Sequence, residues 1–352
     1  EEEIDSYNRI LAIRSLVFNL DEDYEHHLDL AKICRKEDKF INCLHVLNRL
    51  NRKLDFNEKS VKIKVELNIN KCLYENNKQD EAINNLKRII DEEINNINNS
   101  LKSRVYSYYG LWNIEKNNKN LNEGIVKSIS SDLQLSTKYD SRNYKAWHNY
   151  GLLNYKYFDY LLNTKKELKS SINLIHFASN SLSGFTNSVC IGGANISKTL
   201  QDLLRLIDIW FSMGDKLEID ELINNAINII DLDSWLLVIP QLLARVVIIE
   251  ERIKNSLVKL LKKIGNNHPR ALIYPLVVMN KSKSKKRRNA AEIILKEMRT
   301  KHKILIEESS LIIEELNRCA MLLHEDWGEA IEESAKLYYQ SNDINGMIKI
   351  LM

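Results

Sequence analysis

Lys281, Lys283, Lys285, Lys286, Arg287 and Arg288 crowd into NKSKSKKRRN, the most charged run of the 352-residue chain. Cations at that density could neutralise nucleic-acid phosphates or act as a nuclear localisation signal. No aromatic residue interleaves with them, so the stacking surface of single-strand binders is missing. The expectation is a solvated loop leading into a helix at Ala290, with nucleic acid an unlikely partner. Gly192 and Gly193 precede another helical pattern. A phosphate loop needs G-x-x-x-x-G-K-[ST] after a strand, and neither feature is there, so the pair reads as a turn. His148 stands alone among aromatic residues and reads as a packing or capping group. Cys34, Cys43, Cys72, Cys190 and Cys319 are odd in number, widely spaced and without a CxxC pair. They read as buried free thiols in a reducing compartment rather than as a disulfide framework or a metal site.

The elements that carry these residues are helical throughout. Ten Gly and three Pro in 352 residues are too few for the turns of a sheet protein, and they favour long helices with short links. Leu200, Leu203, Leu204, Ile207, Trp210 and Phe211 recur at the three-and-four spacing of one helix face. Trp235, Val238, Ile239, Leu242, Val246 and Ile249 repeat the pattern one unit later. Ile10, Ile13, Leu16 and Val17 make an earlier face, and Asn19 to Glu22 reads as the break after it. NCLHVLNRL and DEAINNLKRII have the small-residue-then-Leu look of tetratricopeptide helices. Trp147, Tyr150, Gly151 and Tyr155 nearly match the Trp-x-x-Leu-Gly-x-x-Tyr signature of that repeat. Gly110 and Trp112 mark a helix–helix contact where a missing side chain lets two backbones approach. The predicted fold is all-α, an α-solenoid of tetratricopeptide/HEAT-like helical hairpins.

Charge and hydropathy narrow the partners. The net charge of +3 is nearly balanced and predicts no strong polyanion partner for the molecule as a whole. No signal peptide and no apolar run long enough to span a bilayer are present. The chain opens at EEEID without Met and stops mid-pattern at KILM, which suggests a fragment of something longer. Two readings follow from pattern alone: a helical-repeat adaptor that only binds proteins, or a nucleic-acid-binding repeat using residues 281–288.

The wording of several segments is more specific. LQDLLRLIDIWF, SWLLVIPQLLARV and HPRALIYPL resemble the FAT region of the TOR serine/threonine kinases, members of the phosphatidylinositol-3-kinase-related family. ILAIRSLVFNLDEDYEHHLDLAKICRK and YKAWH resemble TOR in particular, and HEDWGEAIEESAKLYY is similar to the first helix of its FKBP–rapamycin-binding domain. The resemblance implies a FAT-type region over 1–308, in two sub-units of about 1–180 and 181–308. A short form of a variable insertion falls in the polar stretch 160–180. The start of the rapamycin-binding bundle then occupies 309–352.

Ile312, Leu316, Cys319, Leu323, Trp327, Ile331 and Tyr338 mark one long helix there, with a second beginning at Gly346. By the same resemblance Ile331, Ala335 and Tyr339 fall where the family's first helix lines the drug pocket, with Ser common in place of Ala335 and Phe in place of Tyr339. Four-residue spacing puts all three on one helix face.

The resemblance also implies a C-shaped solenoid that clamps a kinase domain lying beyond Met352, in a parent that uses ATP and Mg to control growth in response to nutrients. Implied partners are that kinase domain, a WD40-repeat subunit, a Raptor or Rictor type of adaptor, and FKBP–rapamycin. The implied location is cytoplasmic, with recruitment to endomembranes or the nucleus. The family's FAT region can hold an inositol polyphosphate in a cluster of Lys and Arg, which the sequence does not place; Tyr108 stands where a basic residue is common. Within these 352 residues there is no phosphate-binding Lys, catalytic-loop Asp and Asn, or metal-binding Asp in the arrangement a kinase requires, so catalytic and metal-binding residues are predicted to be absent. The isolated chain is therefore expected to transfer no phosphate from ATP to a Ser/Thr peptide in a radiolabel assay. Incorporation above the ATP-only background would overturn that reading.

Overall fold

The structure, a computed structural model, describes residues 2–53, 59–94, 97–117, 122–163, 171–192, 196–282, 284–320 and 323–351. Among them there is no strand, and the chain is an all-α helical-repeat fold. The helices are α1 (Glu2–Arg14), α2 (Leu20–Lys36), α3 (Phe40–Lys53), α4 (Lys59–Glu75), α5 (Gln79–Glu92), α6 (Asn99–Lys116), α7 (Glu123–Tyr139), α8 (Tyr144–Asn163) and α9 (Ile172–Gly192). They continue as α10 (Ile196–Met213), α11 (Leu217–Ile229), α12 (Leu232–Leu236), α13 (Ile239–Ala244), α14 (Glu251–Asn267), α15 (Pro269–Asn280), α16 (Lys285–Ala320), α17 (Leu323–Ser341) and α18 (Ile344–Leu351). Two compact units divide the chain, Glu1–Ser234 and Trp235–Met352.

In the first unit, from α1 to α11, each helix packs on the next, and α2, α4, α6 and α8 also pack on one another in turn. That is the arrangement of stacked helical hairpins, in which each repeat buries its apolar face on its neighbours. Small residues allow the close crossings. A side chain at Gly110 of α6 would run into Leu133 of α7 at 2.5 Å. A Cβ at Gly184 of α9 would lie 2.6 Å from the Cα of Gly151 on α8, so here backbone meets backbone. Trp112 is buried and stacks on Tyr74 with ring centroids 4.4 Å apart, at the contact the sequence marks.

Several faces differ from the sequence pattern. Ile10, Ile13, Leu16 and Val17 are all exposed; α1 buries Ile4 and Leu11 instead, and Leu16 and Val17 lie in the turn beyond it. Asn19 to Glu22 is the start of α2, not a break, and the Glu22 carboxylate accepts from the Asn19 backbone N–H at 3.4 Å. In α10 the buried face is Leu203, Leu206, Ile207, Ile209, Trp210 and Met213, while Leu204 is partly exposed.

In the second unit the run from Trp235 to Ile249 is not one helix. Pro240 sits in the first turn of α13, where its missing N–H costs nothing, and the chain is helical only in short pieces there. Trp235, Val238, Leu242 and Val246 are buried, yet Ile249 is 83% exposed. α14, α15 and α16 pack on one another, and α17 packs on α18. α16 breaks its helical geometry at His302 (φ −127, ψ 41), whose Nε2 lies 3.0 Å from the Asn266 carbonyl of α14. The stripe expected to mark one long helix is divided between α16 and α17. Ile312, Leu316, Trp327, Ile331 and Tyr338 are exposed on it; the side chains of Cys319 and Leu323 lie outside the described residues. α18 begins at Ile344 rather than Gly346, after Asn342 in the left-handed region at φ 52.

Gly184→Ala is expected to destabilise the protein by about 1–3 kcal/mol in urea unfolding, because a backbone contact cannot yield as a side chain does. Trp235→Ala should cost about 3–5 kcal/mol, and Trp147→Ala less, since that ring is only half-buried. An unchanged midpoint for Gly184→Ala would contradict the α8–α9 crossing.

Candidate functional site: a cationic pocket on the helix row

The row formed by α2, α4, α6 and α8 lines a cavity of about 450 Å3. Helical periodicity selects its residues. Lys64, Asn68 and Lys71 recur along one face of α4, Arg104 and Tyr108 stand four apart on α6, and Lys32 and Arg35 lie on one side of α2. Lys145 enters from the first turn of α8. Six cations (Lys32, Arg35, Lys64, Lys71, Arg104 and Lys145) face only two carboxylates, Glu25 and Asp29. Both of those are already engaged, Lys64 lying 3.8 Å from Glu25 and Lys32 3.8 Å from Asp29. Arg35 pairs with Glu75. Among the described residues no carboxylate pairs with Lys71, Arg104 or Lys145.

Lys71 is the unusual member. Only 5% of it is exposed. Its amine sits over the Tyr108 ring, 4.2 Å from the centroid, and the Lys145 amine lies 5.8 Å from the same ring. Burial pushes the Lys71 amine down to about 7, and the positive charges of Arg104, Arg35 and Lys145 push the same way against Glu75. A site that destabilises its own cation offers that charge to an anion. Guanidinium and ammonium donors together suit a ligand with several phosphate or carboxylate groups.

A second polar cluster in the same unit is structural. Asp202 of α10 is fully buried, and its carboxylate lies 2.8 and 2.9 Å from Nδ1 of His148. It accepts from Ser188 Oγ at 2.8 Å, from Tyr144 at 3.3 Å and from Arg205 at 3.3 Å. Ser188 is fully buried, with its hydroxyl within hydrogen-bond distance of this carboxylate and of the Phe185 carbonyl, and the group ties α8, α9 and α10 together. His148 is thus a packing residue with a specific ionic partner. Gly192 closes α9 against the Tyr144 ring; Gly193 lies outside the described residues.

The other residues singled out in the sequence have defined places. Lys285 to Arg288 form the first turn of α16 rather than a loop. Lys281 pairs with Glu314 at 3.0 Å, Arg288 donates to the Ser282 carbonyl at 2.8 Å, and Lys283 lies outside the described residues. Cys34, Cys43 and Cys72 are buried free thiols in one core cluster, whereas Cys190 is exposed. No group of metal-ligating side chains occurs among the described residues. Ile331, Ala335 and Tyr339 lie along one row of α17, with Ile331 and Tyr339 exposed and Ala335 half-buried. The cationic pocket itself is not evident in the sequence. Its one local signal is Lys71, flanked by Asn70 and Cys72 inside a helix that is otherwise apolar where it is buried.

The low proton affinity of Lys71 has a definite sign in stability. The unfolded chain holds that proton up to the ordinary lysine range near 10.5, the folded chain only to about 7. The burial penalty is therefore complete below pH 7 and is relieved as pH rises toward 10.5. Lys71→Met should stabilise the protein at pH 7, on the order of 2–3 kcal/mol, and the gain should shrink as pH rises through 9. Paired urea titrations of the two proteins check this, and parallel pH profiles would contradict it.

With the geometry in place, the comparisons with known proteins are specific. Residues 2–208 match the FAT domain, residues 218–314 match the "Serine/threonine-protein kinase ATR-like, HEAT repeats" family, and residues 315–352 match the FKBP12-rapamycin binding domain. The chain is 30% identical over 380 aligned residues to "Serine/threonine-protein kinase mTor" of Drosophila melanogaster, covering 99% of this chain and 15% of that protein. It is 29% identical to "Serine/threonine-protein kinase TOR" of Arabidopsis thaliana, again over 99% of this chain and 15% of the relative. For "Serine/threonine-protein kinase TOR2" of Saccharomyces cerevisiae the identity is 27%, over 100% and 16%. A solved structure of the human IFIT1 dimer with m7Gppp-AAAA covers 99% of this chain and 80% of its own, at 12% identity and a TM-score of 0.25, too low to support any reading. The chain spans about 15% of the length of the curated relatives it matches. No described helix is long and apolar enough to cross a membrane. The FAT match covers more than half of the residues and TOR kinases align along the whole length, so the chain belongs to the FAT-domain family and is a FAT–FRB region of the TOR-kinase type.

Proposed function

We propose that this chain is the regulatory and scaffold segment of a TOR-type serine/threonine kinase, a parent that controls growth in response to nutrients. The observation that carries the reading is the alignment of TOR kinases from fly, plant and yeast along 99–100% of the chain. In this reading the helical repeats clamp a kinase domain that supplies the ATP and Mg chemistry. A WD40-repeat subunit and Raptor- or Rictor-type adaptors bind the same assembly, which works in the cytoplasm and is recruited to endomembranes or the nucleus. The row of Ile331, Ala335 and Tyr339 on α17, exposed at Ile331 and Tyr339, is offered to an FKBP–rapamycin complex.

Within that scaffold, the pocket on α2, α4, α6 and α8 is the seat of an inositol polyphosphate. Its support is the excess of cations over carboxylates around a buried amine, in a cavity of a size usual for small-molecule sites. Several phosphates would meet Arg104 and Arg35 as forks and Lys145, Lys32 and Lys64 as point charges. The ligand's negative charge would raise the proton affinity of Lys71, so binding takes up a proton above pH 7.

Calorimetry with inositol hexakisphosphate is expected to show one site on the folded chain, with proton uptake at pH 8 read from two buffers of different ionisation enthalpy. Arg104→Ala and Lys71→Met should each weaken binding about 10–100-fold, the worth of one charge-assisted contact. Unchanged affinity in both variants would remove the pocket from the proposal, while leaving the family assignment as it stands.

A further inference from the structure

Lys71 is the most enclosed of the four pocket lysines: it is 5% exposed, whereas the Lys32 and Lys64 side chains are 57% and 32% exposed and Lys145 is exposed. It borders the cavity, it has no carboxylate partner among the described residues, and its amine is held over the Tyr108 ring. Arg35, Arg104 and Lys145 line the same cavity around it. Surrounding cations that hold a phosphate would therefore deliver whatever is tethered to that phosphate to the amine. We infer that Lys71 is a covalent acceptor, its Nζ forming an imine with an aldehyde that also carries a phosphate group, the phosphate seated on Arg35, Arg104 and Lys145. The inference rests on the reading that this pocket holds phosphate groups.

The chemistry balances without an oxidant. The Nζ lone pair adds to the carbonyl carbon, the C=O π pair moves to oxygen, and a proton passes from nitrogen to that oxygen. A second proton, drawn from solvent, lets the hydroxyl leave as water with its bonding pair as the nitrogen lone pair forms the C=N bond, and the remaining N–H proton returns to solvent. One aldehyde and one amine give one imine and one water.

Only the neutral amine attacks. Burial and the neighbouring cations hold Lys71 down to about 7, so most of it is neutral at pH 7.5. An ordinary exposed lysine at that pH is neutral in about one molecule in a thousand. This is the activation that a desolvated lysine beside another cation gives in Schiff-base chemistry. With Lys64, Lys32 and Arg35 already paired, a single phosphate at most balances Arg104 and Lys145 and leaves no net negative charge to draw a proton onto Lys71; a ligand with many phosphates would protonate Lys71 and occupy its space.

The test is labelling of the folded chain with pyridoxal 5′-phosphate at pH 7.5, trapping by borohydride, and peptide mass mapping. Lys71 should be modified at least tenfold faster than the exposed lysines. Pyridoxal, which lacks the phosphate, should modify it at least tenfold more slowly, and inositol hexakisphosphate should protect it. Lys71→Met, which removes the nucleophile and leaves a neutral side chain of similar length, should abolish the adduct in that peptide. Labelling of Lys71 no faster than exposed lysines, or equal labelling by pyridoxal, would overturn the inference. If inositol hexakisphosphate binds but Lys71 gives no adduct, the covalent role falls and the phosphate pocket stands; if neither phosphate compound binds, both fall together.

Discussion

Alternate helices of the first unit have to pack on each other as well as on their hairpin partners, and α4 bears the consequence. It touches α2, α3, α5 and α6. Its side chains enter three separate apolar clusters: Ile63, Leu67 and Leu73 in one, Cys72 in a second, Val65 in a third. A helix enclosed on nearly every side must bury whatever polar residues it carries. Asn70 meets this with a hydrogen bond from the Asn85 amide at 3.1 Å. Lys71 has only an aromatic face and a cavity. The pocket's unusual amine is thus a product of the packing geometry.

The apolar packing of the row and its neighbouring helices is supplemented by hydrogen bonds from small and hydroxylated residues. Ser136 of α7 donates to the Ser103 carbonyl of α6 at 2.6 Å, and Asn149 of α8 reaches the Ser107 hydroxyl of α6 at 3.1 Å. Ser181 of α9 donates to the Gly151 carbonyl of α8 at 3.0 Å. Each lets two helices approach closely while a buried hydroxyl or amide finds a partner, the condition under which burying it costs little. Close spacing keeps α2, α4, α6 and α8 adjacent, and adjacency brings side chains from four helices around one cavity.

What could be read in the sequence follows from how local each feature is. Gly110, Trp112 and Gly151 announce their contacts because a glycine beside aromatic residues in a helical pattern has few other uses. The spacing of Ile331, Ala335 and Tyr339 gives their shared row on α17 directly. Faces are less secure, since a three-and-four pattern allows neighbouring choices. Ile10 and Ile13 fit one stripe of α1, yet burial falls on Ile4 and Leu11, the positions α2 covers. The run from Trp235 to Ile249 keeps helical spacing in its apolar residues although Pro240 divides the backbone, because short helices and turns can aim side chains inward as one helix does. Of the cationic pocket only Lys71 left a local trace. The pocket's other residues come from four helices far apart in the chain, each ordinary where it stands, and only tertiary packing makes them neighbours.

Tyr108 shows how the same residue can point opposite ways at the two levels. By the family resemblance it is expected where a basic residue is common, which counts against an anion site. In the structure its ring faces both Lys71 and Lys145. A further cation at that place would add to the repulsion that Arg104, Arg35 and Lys145 already exert on Lys71. The ring's negative face instead lowers the cost of keeping an amine there. One fixed charge is exchanged for one that depends on the proton. With Lys71 neutral the pocket carries one positive charge fewer, and an aromatic face rather than a counter-ion meets the amine. An aromatic residue in this position therefore makes the charge at Lys71 depend on the proton, where a further fixed cation would not.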